Sequence, residues 1–443
     1  MTFSTAAQQI DELGSTSVLV VLDPKTTRFV IKSPSLGHGR MTREIPDCDA
    51  DVVNGVLKTF ASGWDGRSNE PHEYDRERSA ASSRVSRPTR QTALAQDRPR
   101  GHYYRNLGIA LGVVDKQGLL ALTENPAVAE IHHADLGSDQ ALSLCGGGLA
   151  SNTAQTEVWG IRRMAAPALW ARGFTGKGVL IAHMDTGVET THAALSSAVG
   201  PYTVVDLHGR SSTARMPYTD CGTHGTHTGA TIVGRAVFQH PRVGMAPDAT
   251  LACATVLQAG HKVARLLKGL DWAVETGARI LNLSVGFAGC NHIFTELINR
   301  LRQHQLLPIA AIGNAGPGKT RFPANNSNVL SVGAIDQEDR VPPWSGSAKP
   351  GSLAHGPSLC APGSQVLSAC TSGNYREESG TSMATAHISG LAALLLDACP
   401  KATVDQLENA IIASCENPRN ENSDRIGAGI PSALTALDCL MAP

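Results

Sequence analysis

The chain has 443 residues, of which 42% are apolar and 17% charged, so it is long enough for two domains and able to bury a large core. Its formal net charge of -1 gives no overall field that would attract nucleic acid or an anionic membrane. No apolar run approaches the roughly 18 residues that a membrane-spanning helix needs. We therefore expect neither a nucleic-acid partner nor a membrane partner.

The first residues do not resemble a secretory signal peptide. Asp11 and Glu12 lie in a stretch without a basic cluster, and the apolar run from Val18 to Leu22 is shorter than the about 7–15 residues of a signal core. These features predict a cytoplasmic protein, or a secreted one if the native start differs. The ten cysteines are scattered without CxxC spacing, which favours reduced thiols and argues against structural zinc.

Residues 1–137 predict a small α+β domain. The pattern indicates, in chain order, a strand at 18–22, a helix around 52–57, a strand at 109–114, a helix at 116–123 and a strand at 128–131. Between them, residues 62–100 are rich in arginine, serine and proline, which predicts a mobile insertion. A basic nucleic-acid patch is the alternative, but Tyr74 is the only aromatic residue between Trp64 and His102.

Residues 138–153, which include three consecutive glycines, predict a flexible linker to a larger domain at 154–443. In that domain β-rich runs alternate with helical patterns, which predicts an α/β fold with a parallel sheet flanked by helices. The expected strands are 179–182, 250–257, 280–283, 307–312 and 329–334, and the expected helices are 263–276, 294–304 and 381–398. Asp185 and Asn314 lie just past two of these strands, where active residues of such sheets collect.

Three glycine-rich motifs supply a carboxylate, an imidazole and a hydroxyl in a fixed order: Asp185-Thr186-Gly187, His224-Gly225-Thr226-His227 and Gly380-Thr381-Ser382-Met383-Ala384. A serine becomes nucleophilic when a histidine takes its proton and a carboxylate orients that histidine. Each motif alone has an ordinary explanation. Asp185 would be a turn residue, Ser382 a helix N-cap, and His224 with His227 a metal pair that lacks a third ligand signature.

Three further segments accompany the motifs: Ala154-Gln155-Thr156-Glu157-Val158-Trp159-Gly160-Ile161, Leu283-Ser284-Val285-Gly286 and Ala311-Ile312-Gly313-Asn314. With them, the chain from about Ala154 onward resembles the subtilisin-like serine proteases, whose triad runs in the order Asp, His, Ser. The resemblance implies a serine endopeptidase that acts on proteins or peptides.

The resemblance also implies a role for each matching residue. Asp185 would orient His224, His224 would be the general base and Ser382 the nucleophile, with His227 a buried neighbour. Asn314 would donate a hydrogen bond to the oxyanion. Ser284, Val285 and Gly286 would bind an extended peptide as an added strand.

Arg321 falls near where the family places the floor of the primary specificity pocket. A guanidinium there would pair with a carboxylate, so we expect a preference for Asp or Glu before the cut. An arginine that points to solvent is the alternative.

The segment from Pro126 to Ile131 resembles the end of a subtilisin propeptide. That resemblance implies a latent precursor inhibited by its own N-terminal domain and cleaved at Thr153–Ala154; an unrelated N-terminal binding domain is the alternative. We expect no cofactor and no metal in the site, and no high-affinity calcium at residues 192–195 and 235–244, which lack the family's calcium-binding side chains; weaker calcium sites elsewhere stay open. The alternative functions are an intracellular maturation protease for one protein and a quiet partner-binding module.

Overall fold

The computed structural model describes residues 7, 16–23, 50–60, 101–134, 148–149, 157–206, 209–213, 216–257, 262–287 and 293–442. The predicted insertion at 62–100 and the predicted cleavage site Thr153–Ala154 lie outside these residues. So do the predicted domain boundaries at 137/138 and 153/154.

The N-terminal part is a four-stranded antiparallel sheet with two helices. Its elements are β1 (Thr16–Leu22), α1 (Ala50–Lys58), β2 (Gly101–Tyr104), β3 (Ile109–Val114), α2 (Lys116–Thr123) and β4 (Val128–His133), with the strand order β2-β3-β1-β4. Sequence reasoning missed β2, which is short and begins at a glycine. Gly101 is needed there, because a Cβ at this position would collide with the ring of Phe60.

Both faces of the N-terminal sheet are buried. Val18, Val20 and Leu22 point to one face and pack against α1 and α2. Leu19 and Val21, which alternate with them along β1, point to the other face and join the core of the larger domain. The helices that cover this second face belong to the larger domain.

The larger domain is built on an eight-stranded sheet in which seven strands are parallel and the edge strand β8 is antiparallel. The strands are β6 (Leu180–Asp185), β7 (Val199–Val205), β8 (Ser211–Thr213), β9 (Thr250–Thr255), β10 (Ile280–Leu283), β11 (Leu307–Ala311), β12 (Leu330–Ile335) and β13 (Leu359–Pro362), in the order β13-β12-β11-β10-β6-β9-β7-β8. Near-continuous apolar runs suit strands covered on both faces. The predicted parallel sheet flanked by helices is confirmed.

Helices cover both faces of this sheet. In chain order they are α3 (Trp159–Arg163), α4 (Ala166–Trp170), α5 (His224–Val233), α6 (Lys262–Glu275), α7 (Ile293–Gln303), α8 (Thr381–Ala398), α9 (Val404–Ala413), α10 (Ser423–Ile426) and α11 (Ala433–Met441). α5 and α8 pack on one face, and α6 and α7 on the other. α8 is buried on all sides for most of its length, as expected of a helix that is apolar all round.

A small sheet lies beside the start of α8. It contains β5 (Gly148–Leu149), β14 (Val366–Ala369) and β15 (Tyr375–Glu378), with β5 antiparallel to β15. Two residues of the predicted flexible linker are therefore paired as a strand. A two-residue strand carries no sequence period, so only its partner reveals it. β16 (Cys415–Glu416) and β17 (Ile430–Pro431) form a separate pair.

Candidate active site

Asp185 and His224 are in direct contact. Asp185 is the last residue of β6, which runs three residues beyond the predicted end of that strand at Ala182. His224 is the first residue of α5, and its Nδ1 lies 2.8 Å from Asp185 Oδ1 and 2.9 Å from Oδ2. A carboxylate accepts, so the Nδ1 of His224 carries the hydrogen and its Nε2 is left as the basic nitrogen.

The electrostatics of the pair favour charge separation. Burial raises the pKa of Asp185, but the charge and hydrogen bond of His224 outweigh it, so the pKa of this carboxyl lies below its usual value. Burial likewise lowers the pKa of His224, while the charge and hydrogen bond of Asp185 raise it, and the net effect is a raised pKa. The ring is a stronger base than a solvated histidine.

The first turn of α5 is fixed by polar contacts to its backbone and side chains. Asp220 Oδ2 accepts from the backbone nitrogen of Thr226 at 2.8 Å, and thereby satisfies a donor that the helix leaves open. Thr186 Oγ1 accepts from the backbone nitrogen of Gly225 at 3.0 Å. Only glycine fits at position 225, because a Cβ there would collide with the carbonyl oxygen of Gly187. These contacts hold the start of α5 against the end of β6.

Ser382 is the second residue of α8, which packs against α5. Its hydroxyl donates to the carbonyl oxygen of Ser284 at 3.2 Å. No hydrogen bond joins it to His224, whose Nε2 is buried and has no hydrogen-bond partner among the described residues. The structure thus brings Asp185 and His224 into contact, with Ser382 on the neighbouring helix and turned to another acceptor.

Asn314 lies three residues past β11 and is bound to the segment that carries Ser382. Its Oδ1 accepts from the backbone nitrogen of Thr381 at 2.9 Å and from Thr381 Oγ1 at 2.8 Å. Both bonds require an acceptor, so the amide nitrogen takes the other position. That nitrogen lies 3.3 Å from the place a Cβ on Gly380 would occupy. A donor therefore lies beside the start of α8.

The segment from Ser284 to Gly286 follows β10 and leaves backbone groups available. Within the described part of the chain, neither Val285 nor Gly286 forms a backbone–backbone hydrogen bond. Arg321 packs against this segment: a Cβ on Gly286 would lie 2.6 Å from Arg321 Cβ, and one on Gly313 would lie 2.7 Å from Arg321 Cγ. The stem of Arg321 thus fills the space between two loops that end parallel strands.

His227 is bonded to the small sheet rather than to His224. It is fully buried, and its Nε2 lies 3.0 Å from the carbonyl oxygens of both Val366 and Arg376. Burial lowers the pKa of His227 to about 3, so the ring is neutral. In the described ranges no three or more His, Cys, Asp or Glu side chains form a group suited to a metal ion.

The subtilase family model matches residues 176–429, which is more than half of the chain. The chain belongs to the subtilase family. Alkaline elastase YaB from Bacillus sp. (strain YaB) is 33% identical over 291 residues, 64% of this chain and 71% of its own length. Subtilisin Savinase from Lederbergia lenta is 36% identical over 286 residues, 64% of this chain and 99% of its own. Subtilisin E from Bacillus subtilis (strain 168) is 27% identical over 315 residues, 70% of this chain and 75% of its own.

These similarities confirm the predicted enzyme class: the subtilase is a subtilisin-like serine endopeptidase, and its substrates are proteins or peptides. None of the helices in the part of the subtilase that the structure describes has the length and apolar character needed to cross a bilayer.

The sequence reasoning missed several residues that hold the site together. Asp220 caps α5, Thr381 fixes the amide of Asn314, and His183 lies buried next to Asp185. Asp220 offered a usable signal, since it lies four residues before His224 and anionic side chains stabilise helix starts. His183 gave no comparable signal, because it interrupts an apolar strand without belonging to a motif.

Proposed function

We propose that this subtilase hydrolyses peptide bonds with Ser382 as nucleophile, His224 as general base and Asp185 as the group that orients His224. The contact between His224 Nδ1 and Asp185 carries the proposal, since it leaves Nε2 as the proton acceptor. Catalytic hydrogen bonds are often long or misaligned without substrate. In this proposal Ser382 exchanges its present acceptor, Ser284 O, for His224 Nε2 when substrate binds.

The reaction follows from these positions. Ser382 Oγ attacks the peptide carbonyl carbon while its proton passes to His224 Nε2, and Asp185 stabilises the imidazolium. His224 then gives the proton to the departing amine, which leaves an ester on Ser382. A water molecule repeats the two steps, releases the acid and restores the hydroxyl.

Asn314 is proposed as the oxyanion donor. The contacts of Thr381 orient its amide nitrogen toward the start of α8, where the substrate's carbonyl oxygen gains negative charge. A helix N-terminus adds its own favourable field for that charge.

Asn314→Ala is expected to lower kcat by about 10²–10³-fold, the range known for removal of such a donor in subtilisin, with KM little changed. Steady-state kinetics on a peptide amide measures it. Thr381→Val serves as a matched variant, because it removes one of the two bonds that orient the amide and should cost less. A kcat within threefold of wild type in Asn314→Ala would rule out the assignment.

We further propose that the protein is made as a latent precursor, with the N-terminal sheet as its inhibitor. The support is the way that sheet is bound to α6 and α7. Arg300 of α7 is nearly buried and donates to the carbonyl oxygens of Leu22 and Leu107. Asp271 of α6 accepts from the backbone and the side-chain nitrogens of Asn106 at 2.8 and 3.0 Å.

For the N-terminal part to leave, all of these contacts would have to break together. Removing the N-terminal part would take away two acceptors of the Arg300 guanidinium, which would keep its ion pair with Glu296 at 2.9 Å. Apolar contacts reinforce them, since Leu19 and Val21 lie in the same cluster as Leu297. An N-terminal part held this way would stay on the catalytic domain after the chain is cut.

Arg321 is proposed to select an acidic residue before the cut. Its stem lies against Gly286 and Gly313. The two loops that contain these glycines would flank the substrate side chain that precedes the cut. A stem in this position shortens the pocket and brings a positive charge into it, which suits Asp or Glu.

Replacing Arg321 with glycine is expected to shift the preference from Glu toward large apolar residues. A charge-assisted hydrogen bond is worth about 1.5–3 kcal/mol, so the ratio of kcat/KM for Glu and Phe substrates should fall about 10–10²-fold. A peptide library with every residue before the cut provides the measurement, and Arg321→Lys, which keeps the charge, is the control. An apolar preference that is the same in wild type and Arg321→Gly would contradict the proposal.

A further inference from the structure

His183 is a buried histidine in the same strand as Asp185. The two residues are two positions apart on β6, so their side chains point to the same face of the sheet. His183 is 1% exposed. It has no part in the proposed proton transfers, so its burial beside the reacting groups calls for another role.

Both ring nitrogens of His183 are hydrogen-bonded, and the partners fix its form. Nε2 lies 3.0 Å from the carbonyl oxygen of Gly225, which only accepts, so Nε2 carries the hydrogen. Nδ1 lies 3.2 Å from the amide nitrogen of Asn282, which only donates, so Nδ1 is the acceptor. The ring is therefore neutral in one tautomer. Burial, which lowers the pKa of His183, favours the same form.

From Asn282 the hydrogen bonds continue to the nucleophile. Its amide nitrogen also donates to Ser284 Oγ at 3.1 Å, and Ser284 Oγ donates to the carbonyl oxygen of Ser382 at 3.0 Å. The remaining amide oxygen of Asn282 accepts from Ser389 Oγ at 2.9 Å. The series runs outward from the amide nitrogen of Asn282, through Ser284 to Ser382 on one side and through His183 to Gly225 on the other.

At its other end the series reaches the base. Gly225 directly follows His224 in the first turn of α5, so a bond to its carbonyl oxygen restrains the turn that carries the imidazole. Thr228, one turn further on, donates to the carbonyl oxygen of His224 at 2.9 Å and lies 3.3 Å from Asp185 Oδ2. His183 thus lies between the helix of the base and the strand of Asn282.

We propose that His183 is a positioning residue that couples the first turn of α5 to Asn282, Ser284 and Ser382, and so fixes His224 relative to the nucleophile. It touches neither substrate nor a reacting atom. The proposal rests on the catalytic roles proposed for His224 and Ser382. Misplacement of a catalytic group by about 1 Å costs about 10²-fold in rate, which sets the size of effect to expect.

Three substitutions of His183 separate the effect of its two hydrogen bonds from the effect of its side-chain volume. His183→Phe keeps an aromatic ring but loses both bonds, and it should lower kcat about 10–10²-fold with KM within about twofold. His183→Gln keeps one donor and one acceptor and should recover most of the rate. The shorter side chain of His183→Asn reaches at most one of the two partners, so its kcat should lie between those of the other two variants. If His183→Phe fails to fold, His183→Asn still tests the proposal. Met184→Leu, on the opposite face of β6, is the packing control.

The readouts are kcat, KM, the pH profile of kcat/KM and the melting temperature, with active sites counted by a sulfonyl fluoride that reacts with serine. The proposal is supported if His183→Phe has a lower kcat per active site and a displaced acid limb in its pH profile of kcat/KM, and if His183→Gln recovers both. A lower melting temperature with kcat per active site unchanged in both His183→Phe and His183→Asn would overturn it. Ser382→Ala separates the two proposals: if it stays active, the catalytic roles fail, whereas a failure of positioning alone leaves it inactive.

Discussion

Ser382→Ala is expected to lower kcat by about 10⁶-fold, the loss known for the subtilisin nucleophile. Without the hydroxyl no ester forms, and only the residual catalysis of binding and the oxyanion donor remains. Hydrolysis of a peptide amide measures the loss. Ser379→Ala is the matched control, since this serine lies three residues earlier and its hydroxyl accepts from Gln365 N at 2.9 Å.

The same pair of proteins tests the latent precursor. Wild type should separate into an N-terminal fragment and a catalytic domain, while Ser382→Ala should remain one chain on a denaturing gel. N-terminal sequencing of the wild-type product locates the cut and tests Thr153–Ala154. If the pure Ser382→Ala protein is inactive on peptides and yet loses its N-terminal part, self-processing is wrong while the nucleophile stands.

Asp185→Asn is expected to lower kcat by about 10⁴-fold, as in the corresponding substitution of a trypsin-type triad. An amide no longer requires the Nδ1–H tautomer of His224, so Nε2 is lost as the proton acceptor. The pKa also changes. Burial lowers the pKa of His224 and the Asp185 charge raises it, so removing that charge should move the acid limb of kcat/KM to lower pH.

The pH profile of kcat/KM in wild type and variant provides the measurement. In wild type the rate should fall as the pH drops through the raised pKa of His224, because the protonated ring accepts no proton. Asp220→Asn separates the effect of a nearby negative charge on the pKa of His224 from the orientation of its ring. Asp220 also raises the pKa of His224, but it bonds Thr226 rather than the ring, so its loss should move the limb with a much smaller fall in kcat. A kcat within tenfold of wild type in Asp185→Asn would contradict the assigned role.

Much of the larger domain follows from local pattern. α8 matches its prediction at both ends, and α6 and α7 match within one residue, because long periodic or apolar segments mark their own limits. The ends of β6 were less clear. His183 interrupts the apolar run, and its burial depends on two partners, Gly225 and Asn282, that are 42 and 99 residues away in sequence.

The same reasoning explains two of the strands that were not predicted, β2 and β5, but not the seven-residue β7. β2 has four residues and β5 has two, so neither is long enough to show an alternating pattern. Their pairing is set by β3 and β15, which lie elsewhere in the chain. The chemical identity of Asp185, His224 and Ser382 was readable from motifs, whereas the contacts of Thr381 and Asp220 that hold the site arise only when distant segments meet.

The two faces of the N-terminal sheet are covered by different parts of the chain, which would make its release from the catalytic domain irreversible. Its own helices cover one face, and the catalytic domain covers the other with α6 and α7. A fragment set free would expose Leu19, Val21 and Ile109 to water, and a unit of this size has little apolar burial to spare. Under the proposed inhibition, an unfolded fragment of this kind would become a substrate of the catalytic domain. The wild-type sample should therefore show the fragment early and lose it with time, as the fragment dissociates and is degraded, and inhibition would not be restored.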